Sequence, residues 1–350
     1  MNYQSRQARF EELFPNQPKF RFQQLEKNLF NYDFEDYLQM SNIPAEMRQT
    51  LQDDFEFISV KENLIQNSRS KDTYKATLEV EGGKLIETVL MQNKRGQWTV
   101  CVSSQVGCAM ACEFCATGKM GLIKSLHCDE IIDQYRFWKY FLKKNPDLEQ
   151  RISNIVFMGM GEPLANYENV KQTLNKLLKY TDLGPTKITV STVGVIPALI
   201  KILNDPEWPH VRLALSLHSA DQPSRKDIVP TTFNDFLDKI EEWAHEYLVK
   251  FGNKKHHLTF EYVMLRGVND TPMHSKKLAD FVMKIGNVKV NLIPYNYIGT
   301  QFECSTGEDI EKFMNKLKGS GVNVTRRKNM GTDIDAACGQ LSNKQSKTKI

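Results

Sequence analysis

From about residue 98 to residue 327 the chain alternates short Val- and Ile-rich runs with longer amphipathic segments, and this alternation constrains the fold more than any other feature. The runs are NIVFMG (154–159), KITVST (187–192), VRLALSLH (211–218), LTFEYVML (258–265), VKVNLIPYN (288–296) and VNVTRR (322–327). Between them, segments 129–144, 165–180, 232–250, 272–284 and 307–319 space their apolar residues as helices do. Strand–helix alternation predicts a parallel sheet with crossover helices. The run WTVCVSS (98–104) adds a strand at the front, making six up to Asn296. A partial or complete βα barrel is the expected architecture, with a flat doubly wound sheet as the second choice. In a barrel, chemistry gathers where strands end and loops begin. The unusual polar residues do fall there: a cysteine loop after 104, Gly161-Glu162, Ser191, Ser216, His218 and Asn296.

Upstream, FRFQQLEKNLF and PAEMRQTLQDDF carry helical spacing, so residues 1–70 read as a separate helical unit and NSRSKD (67–72) as a linker. TYKATLEV and KLIETVLM flank the turn Glu81-Gly82-Gly83 and form a β-meander with WTVCVSS. This divides the chain into 1–70, a linker and hairpin at 71–97, a core at 98–342 and a disordered basic tail at 343–350. Hydrophobic content of 41% and charged content of 25% are those of a globular chain with a sizeable core. No run approaches the roughly 18 apolar residues of a membrane span. The opening MNYQSRQARFEELF lacks the apolar core of a signal peptide, so a cytoplasmic location with reduced thiols is expected.

Seven cysteines in such a chain point to metal or catalytic thiols rather than a disulfide scaffold. Three of them crowd into GCAMACEFCAT (107–117) as C-x3-C-x2-C. A zinc site would need a fourth ligand, with His127 or Cys128 nearest, and no second cysteine knuckle follows. An iron–sulfur cube held by Cys108, Cys112 and Cys115, with one iron left open, suits three thiolates better. In FMGMGEPL (157–164) the glycines permit close backbone approach to a ligand, and Glu162 offers a partner for an ammonium group. It is not a dinucleotide fingerprint, because the third glycine would fall at Leu164. A tight turn with an exposed Glu is the plainer alternative. Cys101, in a strand, and Cys338, in GTDIDAACGQL, would each be reactive if its thiolate were stabilised. Cys128 and Cys304 read as structural. The net charge of +4 is compatible with a polyanionic partner. The clusters Lys94-Arg95, Lys254-Lys255, Arg326-Arg327-Lys328 and NKQSKTKI read equally well as phosphate contacts or as solvated surface.

The cysteine spacing after a first barrel strand resembles the radical S-adenosylmethionine (SAM) enzymes. More narrowly, CVSSQVGC, MGMGEPLAN, LSLHS, VNLIPYN and DIDAACGQL, in that order, resemble the RlmN/Cfr family of RNA adenine methyltransferases, and most closely its carbon 2 branch. The likeness runs from about residue 85 to 342, and the helical N-terminus is similar to that family's accessory RNA-binding domain. The resemblance implies an α/β fold, a partial (β/α)6-type barrel. It implies a 4Fe–4S cluster on Cys108, Cys112 and Cys115, and SAM, two per turnover, contacted by Gly161, Glu162, Ser191, Ser216, Leu217, His218 and Asn296. Cys338 would carry the methyl group and Cys101 would resolve the adduct through a disulfide. Glu87 or Cys101 would remove the ring proton. The implied substrates are an adenosine at the peptidyl-transferase centre of 23S rRNA and one beside the tRNA anticodon. A flavodoxin or ferredoxin would supply electrons to a monomeric enzyme. Two alternatives stand beside this reading: the carbon 8 antibiotic-resistance branch of the same family, and a non-catalytic, zinc-stabilised RNA-binding protein.

Overall fold

The computed structural model describes residues 5–252 and 258–342, so the expectations for Lys254-Lys255 and for the 343–350 tail lie outside the described residues. Three helices open the chain: α1 (Arg6–Leu13), α2 (Lys19–Leu29) and α3 (Ala45–Asp54). They close over their own core, in which Phe10, Leu25, Tyr37, Met40, Ile43 and Leu51 are buried. The antiparallel strands β1 (Lys61–Asn67), β2 (Thr73–Val80) and β3 (Lys84–Gln92) follow, and β3 pairs with β4 (Trp98–Cys101). Residues 61–67 are therefore a strand, not part of the helical unit or its linker. KENLIQN is largely exposed and edges the sheet, so it carries no apolar alternation to announce itself.

A small hairpin, β5 (Gln105–Cys108) and β6 (Gly121–Ser125), brackets the cysteine loop. The alternation then runs α4 (Cys128–Lys144), β7 (Ile152–Phe157), α5 (Tyr167–Tyr180), β8 (Ile188–Thr192), α6 (Ile196–Asn204) and β9 (Arg212–Ser216). It continues with α7 (Gln222–Ile228), α8 (Phe236–Phe251), β10 (Leu258–Met264), α9 (Pro272–Ile285), β11 (Val288–Pro294), α10 (Gly307–Gly319) and β12 (Asn323–Arg326). The helices form because each lays one apolar stripe on the sheet: Val170, Leu174 and Leu177 of α5, and Ile310, Phe313 and Leu317 of α10, are buried at helical spacing. The strands they cover are buried on both faces, as parallel strands must be. Leu258, Phe260, Tyr262 and Met264 of β10 have no exposed surface.

The ten-stranded sheet has the order β1-β2-β3-β4-β7-β8-β9-β10-β11-β12, parallel from β4 onward. Strands β7 and β12 stand five places apart, roughly 24 Å in a flat sheet. Yet Arg327, just past β12, brings Nη1 within 3.3 Å of Met158 Sδ, just past β7. No arginine side chain spans a flat sheet of that width, so the sheet curls around the strand ends. Among the described residues β1 and β12 do not pair. The barrel is partial, and the flat doubly wound alternative is excluded.

The helical unit is fastened to α4 by a buried ion network. Arg6 pairs with Asp133, Arg136 bonds the same carboxylate at 2.6 Å, and Ser59 donates to it from both its backbone and its hydroxyl. Burial alone would raise the Asp133 carboxyl, but the two guanidiniums hold it well below the usual carboxylate range.

Candidate active site

A cavity of about 960 Å³, counting its open mouth, lies inside the curl at the carboxyl ends of the parallel strands. Its lining draws together Cys108, Cys112 and Cys115, Gly161 and Glu162, Ser191, Ser216, His218, Asn296 and Cys338. Sequence positions more than 220 residues apart thus meet in one space.

The cysteine loop is held from two sides. Glu113 N–H donates to Ile228 O at the end of α7 (3.0 Å). Ala116 N–H donates to Gly339 O (2.7 Å), and Thr117 Oγ1 donates to Leu341 O (2.6 Å). Burial pushes the Cys108 thiol up to about 12 and raises Cys112 well above its ordinary value, with the charges of Cys115 and Glu162 adding to both. Three thiolates so placed require a cationic centre. Among the described residues no group of three His, Cys, Asp or Glu side chains is placed to hold a metal ion. Tetrahedral zinc needs all its donors about 2.0–2.3 Å from one point. A cube spreads three thiolates over three irons, a wider arrangement that three thiols lining one cavity fit.

Glu162 is buried, and both its oxygens accept backbone N–H groups, Oε1 from Leu164 and Oε2 from Val193, each at 2.9 Å. Burial nevertheless raises its carboxyl above the ordinary range, and among the described residues no cation pairs with it. An anion set in a cavity wall in this way fits a cationic ligand such as an ammonium. Gly161 makes the turn possible. Its φ is +98°, and a Cβ there would lie 2.5 Å from Gln105 Cβ, the side chain whose Oε1 accepts Glu162 N–H at 2.8 Å.

Ser191 and Ser216 place their hydroxyls 3.3 Å apart at the ends of β8 and β9. His218 follows with φ +58°, a left-handed conformation uncommon for a residue with a Cβ. Burial, with Arg225 nearby, lowers its imidazole to about 3, so the ring is neutral. Nδ1 accepts Val263 N–H at 3.1 Å, which leaves the proton on Nε2. Leu217 does not line the cavity; its backbone is consumed by Glu261 and Arg225. Asn296 does line it, but its amide grips the protein, donating to Cys338 O at 3.0 Å and accepting from Asn329 at 2.6 Å.

The state of His218 sets a pH dependence. Its folded pKa lies below the unfolded value of 6.5, so the unfolded chain takes up a proton that the native site refuses. Stability falls as pH drops below 6.5 and levels off near 3, a loss of about 2 kcal/mol at pH 5. Urea midpoints at pH 7.5 and pH 5 should therefore differ less in H218N than in the parent protein, after other titrations cancel.

Cys338 and Arg327 line both this cavity and an adjoining one of about 610 Å³, which is walled by Gln92, Asn93, Thr99, Lys328 and Asn329. Cys338 is an exposed residue whose surface borders both spaces. Cys101, buried on β4, is pushed up to about 12 by burial and by the Cys338 charge, while Arg327 pulls both thiols down. The two cysteines therefore share one electrostatic neighbourhood. Both are free thiols, so the disulfide implied by the resemblance is not present in this structure. Glu87 stands apart from both cavities. It is buried, ion-paired with Lys75 Nζ at 3.1 Å, and accepts Ser342 N–H at 2.8 Å. Its neighbours make it an anchor for the C-terminal segment rather than a group facing a ligand. Cys128, buried at the start of α4, and Cys304, exposed, lie outside the cavities.

The Radical SAM superfamily profile matches residues 102–279. Proteins named "Probable dual-specificity RNA methyltransferase RlmN" are similar over nearly the whole chain. Those of Listeria welshimeri and Listeria monocytogenes are 38% identical over 95% of this chain and 89% of their own. That of Clostridium botulinum is 39% identical over 92% and 91%. The crystal structure of a radical SAM methyltransferase from Sphaerobacter thermophilus superposes with a TM-score of 0.86 at 32% identity, covering 95% of this chain and 96% of that one. The chain belongs to the RlmN/Cfr family. It is a SAM-dependent RNA methyltransferase of the radical SAM class, whose cofactors are a 4Fe–4S cluster and SAM. A non-catalytic zinc protein is thereby excluded. The contacts of two arginines, Arg225 and Arg327, are not announced by any local pattern in the sequence. Arg327 had been one of three residues in a basic cluster, and only the curl of the sheet turns it inward. Arg225 sits in a seven-residue helix, too short to show a period.

Proposed function

We propose that this enzyme methylates carbon 2 of an adenosine in 23S rRNA and of an adenosine beside the tRNA anticodon, with Cys338 as methyl carrier and Cys101 as the thiol that releases the product. One observation supports this most: Cys338 and Arg327 form the boundary between two cavities, and Cys101 lies within reach of their charges. The first cavity has the cysteine triad, the unpaired Glu162 carboxylate for the amino group of SAM, and the neutral His218 donor. The second opens beside exposed Lys94, Arg95 and Lys328 and suits an unstacked base. The "dual-specificity" in the relatives' names supports two RNA substrates.

Carbon 2 of adenine is electron-poor and does not attack a methyl sulfonium, so a radical route is required. A cluster held by Cys108, Cys112 and Cys115, with the SAM amino group against Glu162, would supply the one-electron chemistry that activates the methyl on Cys338. The residues do the rest. Cys338 must first be a thiolate to accept its methyl by displacement, and Arg327 opposes the burial that would keep it protonated. Once methylated, Cys338 is a neutral thioether. Its charge no longer raises Cys101, and Arg327 then favours the Cys101 thiolate alone. After the base is joined to the Cys338 methyl carbon and the adduct has given up its odd electron, Cys101 takes the ring proton. Deprotonated again, it attacks the Cys338 sulfur, the Cys338 S–C bond breaks, and the released carbon takes up a proton to become the methyl group, leaving a Cys101–Cys338 disulfide. Glu87 is engaged with Lys75 and Ser342, which favours Cys101 as the base. The helical unit and the exposed basic residues hold RNA phosphates, with affinity that falls as salt rises. A flavodoxin or ferredoxin donor, a monomeric state and a cytoplasmic location complete the proposal.

Digested rRNA and tRNA from cells with and without the gene, separated chromatographically and weighed by mass spectrometry, test the regiochemistry. Loss of 2-methyladenosine on deletion is the expected result. Loss of 8-methyladenosine instead would assign the enzyme to the antibiotic-resistance branch.

A further inference from the structure

Arg225 is almost wholly buried, yet every partner it has is neutral. Its Nε donates to Leu217 O at 3.0 Å. Its Nη2 donates to Val193 O at 2.8 Å and to Ser216 O at 3.4 Å, and its Nη1 donates to Thr232 Oγ1. Phe236 lies against the guanidinium, 3.7 Å from its carbon to the ring centre. Among the described residues no carboxylate pairs with it. Buried charges are ordinarily paired, because an unpaired ion forfeits its hydration for nothing. The carboxylates of the described residues therefore leave this cation uncompensated.

Its position shows where a compensating anion belongs. Arg225 lies on α7, whose last carbonyl, that of Ile228, receives Glu113 N–H from the cysteine loop at 3.0 Å. Cys112 packs into the same apolar cluster as Ile228 and Val229. Arg225 Nη2 also holds the carbonyls of Val193 and Ser216, two residues that line the same cavity as the three loop cysteines. The other charges around the cavity are accounted for. Arg327 faces Glu261 at 4.0 Å and the Cys101–Cys338 pair, Glu261 also accepts from Asn291 at 2.9 Å, and Lys119 pairs with Glu113. Glu162 awaits a cationic ligand.

We propose that Arg225 is the fixed counter-charge of the iron–sulfur cluster, a positioning residue that raises the potential at which the cluster accepts its electron. The inference rests on Cys108, Cys112 and Cys115 being the cluster ligands. Three thiolates leave the oxidised cluster with net negative charge, and reduction adds one more. A cation immobilised in a low-dielectric wall favours the reduced form without being displaced by water.

The test is an EPR-monitored redox titration of the anaerobically reconstituted full chain, with iron and sulfide measured for each variant. R225Q removes the charge. T232D keeps Arg225 and its hydrogen bonds but gives it a carboxylate, which guards against a misfolded R225Q. R225K retains the charge. At the potential where the parent cluster is half reduced, R225Q and T232D should each show a reduced-to-oxidised ratio about tenfold lower, a shift of ~59 mV for one electron. R225K should stay close to the parent. Fully loaded T232D with the parent's midpoint would overturn the inference, as would R225K and R225Q shifting equally. A parent chain that takes up no iron and sulfide would overturn the cluster assignment itself, and this inference with it.

Discussion

C101A should accumulate a covalent protein–RNA adduct. With SAM, reductant and substrate RNA, the variant is expected to migrate on a denaturing gel as a slower band that nuclease collapses back to the protein. Release of methylated RNA should fall by on the order of 10³-fold, as when an enzyme loses one member of a unit that acts together. The physical ground is that, among the described residues, Cys101 is the thiol that shares the Arg327 neighbourhood with Cys338. Cys115 also acts on Cys338 electrostatically, but it is one of the three proposed cluster ligands. A variant that released product at the parent rate with no crosslinked band would remove Cys101 from the mechanism. Alanine at 101 sits in the middle of a sheet, between Val89 and Val156, and little rearrangement is expected there.

C112A should empty the site of iron. The parent is expected to hold about four irons per chain and to absorb near ~400 nm. The variant should hold less than about one and should form no 5′-deoxyadenosine. Two thiolates cannot retain a cube that three already hold incompletely. The apo fold should survive, because the substitution removes one sulfur from a cluster that also contains Phe114, Val229, Val263 and Leu265. A stability loss on the order of 1 kcal/mol is expected from a denaturant melt of the apo forms. Retention of four irons by C112A would exclude Cys112 as a ligand.

The fold was legible in the sequence wherever one local period could form a whole element. Segments 165–180 and 307–319 bury one stripe each and were readable as helices from that stripe alone. The elements that escaped had no such signal. Strand β1 is polar because it edges the sheet, and α1 and α7 are each too short to repeat an apolar position more than once. The hairpin of β5 and β6 was hidden because its residues read first as a cysteine loop.

The site divides along the same line. Cys108, Cys112 and Cys115, like Gly161 and Glu162, work through neighbours in sequence, so their spacing carried information. Arg225 and Arg327 acquire meaning only from the curl that carries β12 toward β7 and from a short helix laid under the cysteine loop. The same holds for Asn296, whose amide clamps Cys338, and for Glu87, whose partner Ser342 lies 255 residues away. No local pattern encodes such contacts.

Residues 338–342 touch the cysteine loop, the end of β11 and the start of the sheet, so they fasten to parts of the chain made long before them. On the ribosome those parts emerge first. An unfinished chain therefore already has Cys108, Cys112 and Cys115 in an uncovered loop, while Cys338, the proposed methyl carrier, does not yet exist. On the proposed roles, the order of synthesis separates assembly of the cluster site from arrival of the methyl-carrying thiol.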